Sequence, residues 1–455
     1  MKDMETDTIY CGDCTEVMRR YVPDNSIDLI YADPPFFTEQ SYEVIWGNGY
    51  ERRAFEDRWK GGLQNYIAWM EPKLRECQRV LKNTGSMYLH CDWHAGHYLK
   101  KLMDEKVFGE NRLVNDIIWK RTAAHSGEGV IRKYGTVHDN ILFYAKTDQY
   151  TFNPQYMPYG KDYLEKFYNH VDKDGRRWLS RDLTAAGIRH GDSGKPWKGI
   201  DVTAKGVHWK FRVQKLDELE KEGKLYFPKK VGGMPRYKQY LDESKGVLLQ
   251  DIWTDISVIS SHAKERLGYP TQKPEGLLNR IINTSSNPMD IILDPFCGCG
   301  TTLVVAYKLK RRWIGIDISP TACNLMGRRL RKLHAPYKIV GLPRTIEELR
   351  TLQPFEFQNW VFEKLHGRVN PRKVGDYGID GWVELDVPLQ VKQSDAVGRN
   401  VVDNFETAIR RMGKKNGVIV AFSFGSGAYD EVARVHNEEG LEIKLKTVDE
   451  ILRES

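Results

Sequence analysis

Residues 291–302 read IILDPFCGCGTT, and this stretch decides the fold. Its apolar start is typical of a buried strand, and the spacing after the glycines predicts a helix from about Thr301. Because Gly298 and Gly300 have no Cβ, the backbone there can approach a ligand closely. In open α/β sheets such ligands lie in the crevice at the carboxyl ends of the strands. The stretch therefore predicts a strand, a ligand-binding turn and a helix.

A second acidic residue follows the next predicted strand. The stretch WIGID at residues 313–317 ends on Asp317, the usual place for a carboxylate that accepts hydrogen bonds from ribose hydroxyls. A dinucleotide site would need G-x-G-x-x-G at the preceding turn, and the third glycine is missing after Gly298 and Gly300. With Asp294 before the turn, the pattern favours a cofactor site over a plain turn and argues against NAD.

A stiff corner, Asp33-Pro34-Pro35-Phe36, follows the predicted strand at residues 27–32. The prolines fix φ and supply no N–H, so we expect the carbonyl of Pro34 to be held rigidly and to point outward. This carbonyl and the Asp33 carboxylate are two acceptors, which suits an exocyclic NH₂ group with two donors. Phe36 adds an aromatic face for the base that carries that group. The corner therefore predicts a site for an amino-bearing nucleobase.

Together these motifs resemble the amino-group DNA methyltransferases that use S-adenosylmethionine. The proline corner precedes the glycine turn, the order found in the permuted β group of adenine-N6 and cytosine-N4 enzymes. Other matching stretches are IYCGD at 9–13, GSMYLHCD at 85–92, IIW at 117–119 and TQKP at 271–274. The resemblance implies an α/β, Rossmann-like fold with circularly permuted motif order, an inserted target-recognition region and double-stranded DNA as substrate. Relatives in this group are often dimers, so a homodimer is also expected.

The resemblance implies a role for each matching residue. The catalytic residues would be Asp33, Pro34, Pro35 and Phe36. The cofactor-binding residues would be Asp13, Thr271, Lys273, Asp294, Phe296, Gly298, Gly300, Thr301 and Asp317. Asp13 would lie near the adenine of the cofactor, and the helix opened by Thr271 and Lys273 would receive the methionine carboxylate. Many cytosine-N4 enzymes have serine in place of Asp33, so Asp33 favours adenine as the target.

The region between the two halves of the core differs in composition. Residues 9–146 alternate short apolar runs with amphipathic stretches, as in a parallel sheet with crossover helices, and residues 66–81 have helical spacing. We place the catalytic half of the core at residues 1–147, the target-recognition region at 148–261 and the cofactor-binding half at 262–340. The middle region is rich in Gly, Lys, Arg, Trp and Tyr, which suits phosphate contact and base reading. Its candidate DNA-binding residues are Arg176, Arg177, Lys195, Lys198, Arg236 and Lys238. The alternative is a solvated insert that merely carries charge.

A small α/β unit is predicted for residues 354–455, after a linker at 341–353. Asp380 precedes a strand on which Gln390 and Lys392 share a face. The carboxylate and the amide oxygen could hold Mg²⁺, and Lys392 could orient a water or a phosphate. The pattern resembles the Mrr-like branch of the restriction-endonuclease fold, with Glu363 as a further candidate acid. The alternative is a degenerate domain in which Asp380 and Lys392 form a structural pair.

The composition excludes several classes of protein. The 455 residues are 40% hydrophobic and 29% charged, and no apolar run approaches the ~20 residues of a membrane helix. There is no secretory signal, and seven cysteines are unlike a disulfide framework, so we expect a cytoplasmic protein without a membrane partner. The C-x-x-C at residues 11–14 has no second pair for zinc. The net charge of +7 permits a nucleic acid partner without requiring one.

Three hypotheses remain. The first is an adenine-N6 DNA methyltransferase of a restriction–modification or defence system, with cytosine-N4 transfer as its variant. The second is a bifunctional methyltransferase–nuclease that acts mainly as an endonuclease. The third is a non-catalytic DNA-binding module, against which the intact Asp33, Gly298 and Asp317 argue.

Overall fold

The computed structural model divides the chain into two compact units. One contains Met1–Asn153 with Asp251–Ser455, and the other contains Pro154–Gln250. The structure describes residues 4–37, 61–122, 134–229, 233–260, 262–269, 271–370, 378–384 and 386–454, and the backbone alone of 40–45 and 51–57.

The first segment alternates strands and helices, as the sequence predicts. Its elements are β1 (Thr8–Cys11), α1 (Cys14–Tyr21), β2 (Ile27–Ala32), β3 (Gln40–Ile45), β4 (Glu51–Asp57), α2 (Gly62–Val80), β5 (Leu81–Cys91), α3 (Gly96–Leu102), β6 (Leu113–Lys120) and β7 (His138–Ala145). Helix α2 buries Tyr66, Met70, Leu74 and Cys77 completely. Their spacing of three or four residues is that of one apolar helix face turned toward the sheet.

The second unit is built from short elements. They are β8 (Tyr156–Met157), α4 (Lys161–Phe167), β9 (His170–Val171), β10 (Arg177–Asp182), β11 (Thr184–Ala186), β12 (Val207–Trp209), α5 (Val213–Lys221), β13 (Leu225–Tyr226), β14 (Arg236–Tyr240) and β15 (Val247–Leu248). The largest sheet has the order β13–β14–β10–β9 and is antiparallel. Trp197, Trp209 and Leu216 belong to a buried core within this unit.

The remaining chain completes the large sheet and then forms the small C-terminal domain. The elements up to residue 340 are β16 (Ile252–Trp253), α6 (Glu275–Ser285), β17 (Ile291–Asp294), α7 (Thr301–Lys308), β18 (Arg312–Asp317), α8 (Pro320–Lys332) and β19 (Lys338–Val340). Those after it are α9 (Ile346–Arg350), α10 (Pro354–Lys364), β20 (Arg368–Val369), β21 (Gly381–Val383), β22 (Val387–Val391), α11 (Arg399–Arg411), β23 (Asn416–Ala421), α12 (Ser426–Glu439), β24 (Glu442–Thr447) and α13 (Val448–Glu454).

The large sheet has nine strands among the described residues, in the order β16–β6–β7–β5–β2–β17–β18–β1–β19. The α/β class is confirmed, but the expectation of a parallel sheet is wrong at one strand, because β7 runs antiparallel to both β5 and β6. Strands β6 and β7 are consecutive in the chain and adjacent in the sheet. Antiparallel pairing allows this arrangement without a crossover helix.

The C-terminal domain has its own sheet, in the order β20–β21–β22–β23–β24. Helices α11 and α12 contribute Phe405 and Val435 to one buried cluster, and α10 and α13 contribute Phe357 and Ile451 to another. The sheet is therefore covered by helices on two faces, as a mixed α/β domain requires. Among the described residues of the whole chain, no helix combines the length and apolar character needed to cross a membrane.

Candidate active site

Four loops that carry aspartates meet at one edge of the large sheet. Strands β2 and β17 are parallel neighbours, with Ile30 opposite Leu293. Strand β18 pairs in parallel with β17 on its other side, and β1 pairs in parallel with β18. Because parallel strands end at the same edge, the loops after these strands are adjacent. They carry Asp33, Asp294, Asp317 and Asp13.

A cavity of about 540 Å³ lies at this edge. It is lined by all of the predicted catalytic residues, Asp33, Pro34, Pro35 and Phe36. Of the predicted cofactor-binding residues, it is lined by Asp13, Thr271, Lys273, Asp294, Phe296, Gly298, Thr301 and Asp317. Gly300 is the one predicted cofactor-binding residue that does not line the cavity. It has φ +76°, and a Cβ there would lie 2.7 Å from Cγ of Met326 on α8. The proline corner and the glycine turn thus face a common space.

The two carboxylate oxygens of Asp33 have different surroundings. Its Oδ2 accepts a hydrogen bond from Nζ of Lys273 at 2.5 Å, and the two side chains are only 15% and 11% exposed. Its Oδ1 is buried and has no hydrogen-bond partner among the described residues. An unpaired buried acceptor is costly, so this atom is set up to receive a donor from outside the protein. The resemblance predicts a cofactor contact for Lys273, and no local sequence pattern indicates its contact with Asp33.

Phe36 is held by an aromatic stack. Its ring stacks on His90 with centroids 5.4 Å apart. The Lys273 ammonium lies over the Phe36 ring, 5.0 Å from its centre. His90 is completely buried and bonds through one ring nitrogen to Tyr31 (2.8 Å) and through the other to Asp139 (3.2 Å). These contacts fix the ring that supports Phe36. His90, which the sequence places near other histidines, is therefore an active-site support.

Two buried carboxylates shape the glycine turn. Asp294 accepts hydrogen bonds from Oγ1 of Thr302 (2.6 Å) and from the N–H of Phe296 (3.0 Å). Asp317 accepts from the N–H groups of Gly298 (2.7 Å) and Ser319 (2.9 Å). Burial raises the pKa of Asp294 to about 7 and that of Asp317 to about 6. Carboxyls that titrate near neutrality in a cavity are typical of functional sites.

Asp13 is paired with a lysine that the sequence analysis did not single out. Lys73 on α2 is 5% exposed, and its Nζ lies 3.2 Å from Oδ2 of Asp13. Burial opposes ionisation of Asp13, but the charge and hydrogen bond of Lys73 lower its pKa. Lys73 also lies over the ring of Trp69, which lines the cavity with it. The sequence offers one indication of this role, which is that Lys73 lies on the apolar face of a predicted helix.

The six candidate DNA-binding residues are engaged within their own unit. Arg177 donates to the backbone carbonyls of Tyr168 and Leu164. The other five have acidic partners, namely Asp242 and Glu243 for Arg176, Asp192 for Lys195, Glu220 for Lys198, Asp182 for Arg236 and Asp172 for Lys238. By contrast, Arg189 and Lys210 are exposed and have no ion pair among the described residues. A basic composition alone could not tell these two groups apart.

Asp380 and Gln390 come together in the C-terminal domain. The register of β21 and β22 pairs Gly381 with Leu389, which places Asp380 opposite Gln390. The Asp380 carboxylate accepts a hydrogen bond from the N–H of Val391 at 2.7 Å. Gln390 is 4% exposed, its Nε2 donates to a backbone carbonyl, and its Oε1 has no partner among the described residues.

Glu363 lies elsewhere, on the face of α10 that meets α8. Its carboxylate accepts a hydrogen bond from Nδ2 of Asn324 at 2.9 Å and lies 3.6 Å from Nη1 of Arg328. Glu363 therefore joins the C-terminal domain to the large sheet. The segment before it also reaches the cavity, through Thr351, Leu352, Gln353, Phe355 and Glu356. The sequence predicts only a linker and a helix start here, because the docking of one domain on another leaves no local pattern.

Comparison with known proteins fits this arrangement. A family model described as DNA methylase (N6_N4_Mtase) matches residues 27–328, and one described as restriction endonuclease (Mrr_cat) matches residues 349–454. The chain is 32% identical over 330 residues to Type II methyltransferase M.EcaI of Enterobacter cloacae, covering 72% of this chain and 70% of that protein. It is 28% identical over 327 residues to DNA adenine methyltransferase YhdJ of Escherichia coli K12, covering 72% and 83%. The solved PvuII DNA methyltransferase (cytosine-N4-specific) is 15% identical, with 72% and 89% coverage and a TM-score of 0.38.

Proposed function

We propose that this chain, which belongs to the N6/N4 DNA methylase family, transfers the methyl group of S-adenosylmethionine to the N6 amino group of adenine in double-stranded DNA. Both resemblances expected from the sequence are confirmed by the matching family models. The observation that carries the proposal is the buried, unpartnered Oδ1 of Asp33 in the cavity that the glycine turn also lines. An amino group of a base is the donor that this atom lacks.

The residues of the cavity fit this cofactor. S-adenosylmethionine, when bound, supplies an electrophilic methyl group on a positively charged sulfur. Asp294 and Asp317, once ionised above their pKa values of about 7 and 6, give the cavity the negative charge that suits such a ligand, and Asp13 lines it in a pair with Lys73. Gly298 leaves space for the close approach of the ligand. Tyr269 lies 3.4 Å from the position of a Cβ on Gly298, so a larger residue there would meet its ring.

The target base is bound by the proline corner. Asp33 Oδ1 accepts a hydrogen bond from the exocyclic NH₂, Phe36 stacks on the ring, and Pro34 and Pro35 keep the corner rigid. Tyr66 assists by donating to the carbonyl of Pro35 at 2.8 Å. The hydrogen bond turns the nitrogen lone pair away from the ring and toward the cofactor. Such positioning supplies most of the rate effect, without a covalent enzyme intermediate.

Adenine is favoured over cytosine as the target. Asp33 stands where many cytosine-N4 enzymes have serine, and one of the relatives is named as an adenine methyltransferase. The relative M.EcaI is named as a Type II methyltransferase, and the C-terminal segment matches a restriction-endonuclease family. Both support a cytoplasmic restriction–modification or defence role. Digestion of methylated DNA to nucleosides distinguishes the bases. N6-methyladenine would support the proposal, and N4-methylcytosine would show that cytosine is the target instead.

Transfer of tritium from labelled S-adenosylmethionine to DNA tests the site. The wild type should label DNA, whereas Asp33→Ala should lose transfer and still bind the cofactor. Asp255→Ala is the matched control, because Asp255 also forms an ion pair, with Arg280, but does not line the cavity. Turnover of Asp33→Ala at the level of Asp255→Ala would contradict the catalytic role of Asp33.

We assign DNA recognition to residues 148–261. Lys195 is the most informative of the six cations, since its side chain is 66% exposed and its pair with Asp192 is local. Lys195→Glu should weaken DNA binding and flatten its salt dependence, with cofactor binding unchanged. Lys101→Glu, at a 70% exposed lysine of the other unit, is the control. Equal DNA affinity of the two variants would favour a region that merely carries charge.

A second activity, Mg²⁺-dependent DNA cleavage, is favoured by the orphaned Oε1 of Gln390 beside Asp380. Carboxylate and amide oxygens are ligands that Mg²⁺ accepts, so these two residues would hold the ion, and it would supply Lewis-acid assistance to phosphodiester hydrolysis. Lys392 directly follows β22, two residues after Gln390, and its N–H donates to the carbonyl of Val420 on β23. Unmethylated plasmid incubated with Mg²⁺ should be cut by the wild type and stay intact with Asp380→Ala. Intact plasmid with both proteins would remove the nuclease.

A further inference from the structure

One wall of the cofactor cavity comes from the C-terminal domain. Gln353, Phe355 and Glu356, at the start of α10, line the cavity together with Asp317 and Ser319. Helix α10 belongs to the C-terminal domain, because its apolar side chains are buried in that domain's core. The cavity is therefore shared between the methylase core and the endonuclease-like domain.

A line of hydrogen bonds runs from the glycine turn to this wall. The N–H of Gly298 donates to Asp317, and Asp317 also accepts from the N–H of Ser319. The hydroxyl of Ser319 donates to Oε1 of Glu356 at 2.5 Å, while Thr321 donates to Oε2 at 2.8 Å. Glu356 is 5% exposed, so these bonds form away from solvent. A ligand that contacts the glycine turn thus touches a network that ends in the other domain.

The same wall is bonded to the segment that follows β22. Leu352 lines the cavity, and its carbonyl accepts a hydrogen bond from Nε2 of Gln393 at 2.8 Å. The same nitrogen also donates to the carbonyl of Leu349 at 3.4 Å. Gln393 directly follows Lys392, the candidate nuclease residue two positions after Gln390. Gln393 is therefore the one residue on this path between the cavity wall at Leu352 and Lys392.

We propose that S-adenosylmethionine is bound by both domains, with Gln353, Phe355 and Glu356 as cofactor-contacting residues, and that its binding is coupled to the segment directly after β22, which contains Lys392 and Gln393. The proposal rests on the proposed function, which supplies the identity of the cofactor. A ligand that contacts two parts of a protein favours their joined arrangement, and that arrangement favours the ligand by the same factor. The endonuclease-like domain is then a sensor of cofactor occupancy.

Titration of the full-length protein with S-adenosylmethionine in a calorimeter tests the contacts. Phe355→Ala and Glu356→Gln should each weaken cofactor binding by about tenfold, as expected for loss of one buried contact. Phe355 is only half-buried, so its replacement keeps the test valid if Glu356→Gln misfolds. Asn324→Ala is the control, since Asn324 bonds α10 through Glu363 but does not line the cavity. This control should bind like the wild type.

Hydrogen exchange of the peptide at residues 387–393 tests the coupling. Saturating S-adenosylmethionine should slow exchange there in the wild type and in Asn324→Ala, and should not do so in Glu356→Gln or Phe355→Ala. Wild-type affinity in both cavity variants, in a protein that methylates DNA, would overturn this inference and leave the proposed function standing. A wild type that binds no S-adenosylmethionine would overturn both. Equal weakening by Asn324→Ala would show that helix docking, rather than contact with the cofactor, sets the affinity.

Discussion

The ion pair between Asp33 and Lys273 contributes to the stability of the fold, whereas methyl transfer depends on Asp33 itself. A double-mutant cycle can measure the two effects separately. Nζ of Lys273 lies 2.5 Å from Oδ2 of Asp33, and both side chains are largely buried. At an effective dielectric constant of about 20, Coulomb's law gives an attraction of ~7 kcal/mol at that distance. Desolvation of the two charges opposes most of this attraction, but removal of one partner leaves the other charge buried and typically costs ~3–5 kcal/mol.

We therefore expect Asp33→Ala and Lys273→Met each to lower the free energy of unfolding by about 3 kcal/mol. The double variant should lose less than the sum, with a coupling free energy of about 2 kcal/mol or more. Methyl transfer should behave differently: it should be lost in Asp33→Ala and should not return in the double variant, since the acceptor for the target amino group is still missing.

Urea unfolding of the four proteins gives the stabilities, and tritium transfer to DNA gives the activities. Additive stability losses would show that the pair between Asp33 and Lys273 does not form in solution. Recovery of methyl transfer in the double variant would refute the catalytic role of Asp33 and reduce its effect to the stability of the fold.

Four other predictions concern the cavity, the turn and the C-terminal domain. Burial raises the pKa values of Asp294 to about 7 and of Asp317 to about 6, so both carboxyls ionise between about pH 5 and 8. Since S-adenosylmethionine carries one positive charge more than S-adenosylhomocysteine, calorimetry should show its relative affinity rising over that pH range; a constant ratio would contradict the shifts. The protein without ligand should lose stability in urea as the pH rises from about 4 to 7, because over that range the two carboxyls keep their protons in the folded state and lose them in the unfolded state. Gly300→Ala should cost about 1–3 kcal/mol in urea unfolding, because its φ of +76° and the 2.7 Å approach of Met326 both oppose a Cβ, and an unchanged midpoint would show that the turn is not held as described. Asp380→Ala should abolish cleavage of plasmid DNA and leave tritium transfer intact, and loss of transfer would show that the two activities are not separable.

The sequence predicts the arrangement of the site well because parallel strands impose it. Once the segments before Asp33, Asp294 and Asp317 are recognised as strands of one parallel array, their loops must share an edge. The one wrong strand direction, that of β7, lies outside this array. The helix that follows the glycine turn begins at Thr301 as expected.

The contacts that the sequence could not reveal join residues far apart in the chain. Lys273 reaches Asp33 across 240 positions, and the local sequence around Lys273 indicates only a helix start. Likewise, Arg176 finds Asp242 across an antiparallel sheet whose short strands have weak periodicity. Side-chain partners of this kind depend on tertiary packing, which hydrophobic periodicity does not encode.

The position of α10 has a practical consequence for anyone who wishes to divide the chain. A fragment that stops at residue 340 would end before Gln353 and Glu356, and would expose Ser319 and Thr321 to water where they now meet a carboxylate. A fragment that stops after residue 364 would keep that carboxylate but remove Phe422, whose ring stacks on Phe357 with centroids 5.0 Å apart. Each cut therefore removes contacts of α10, those with the large sheet in the first case and those with the C-terminal domain in the second.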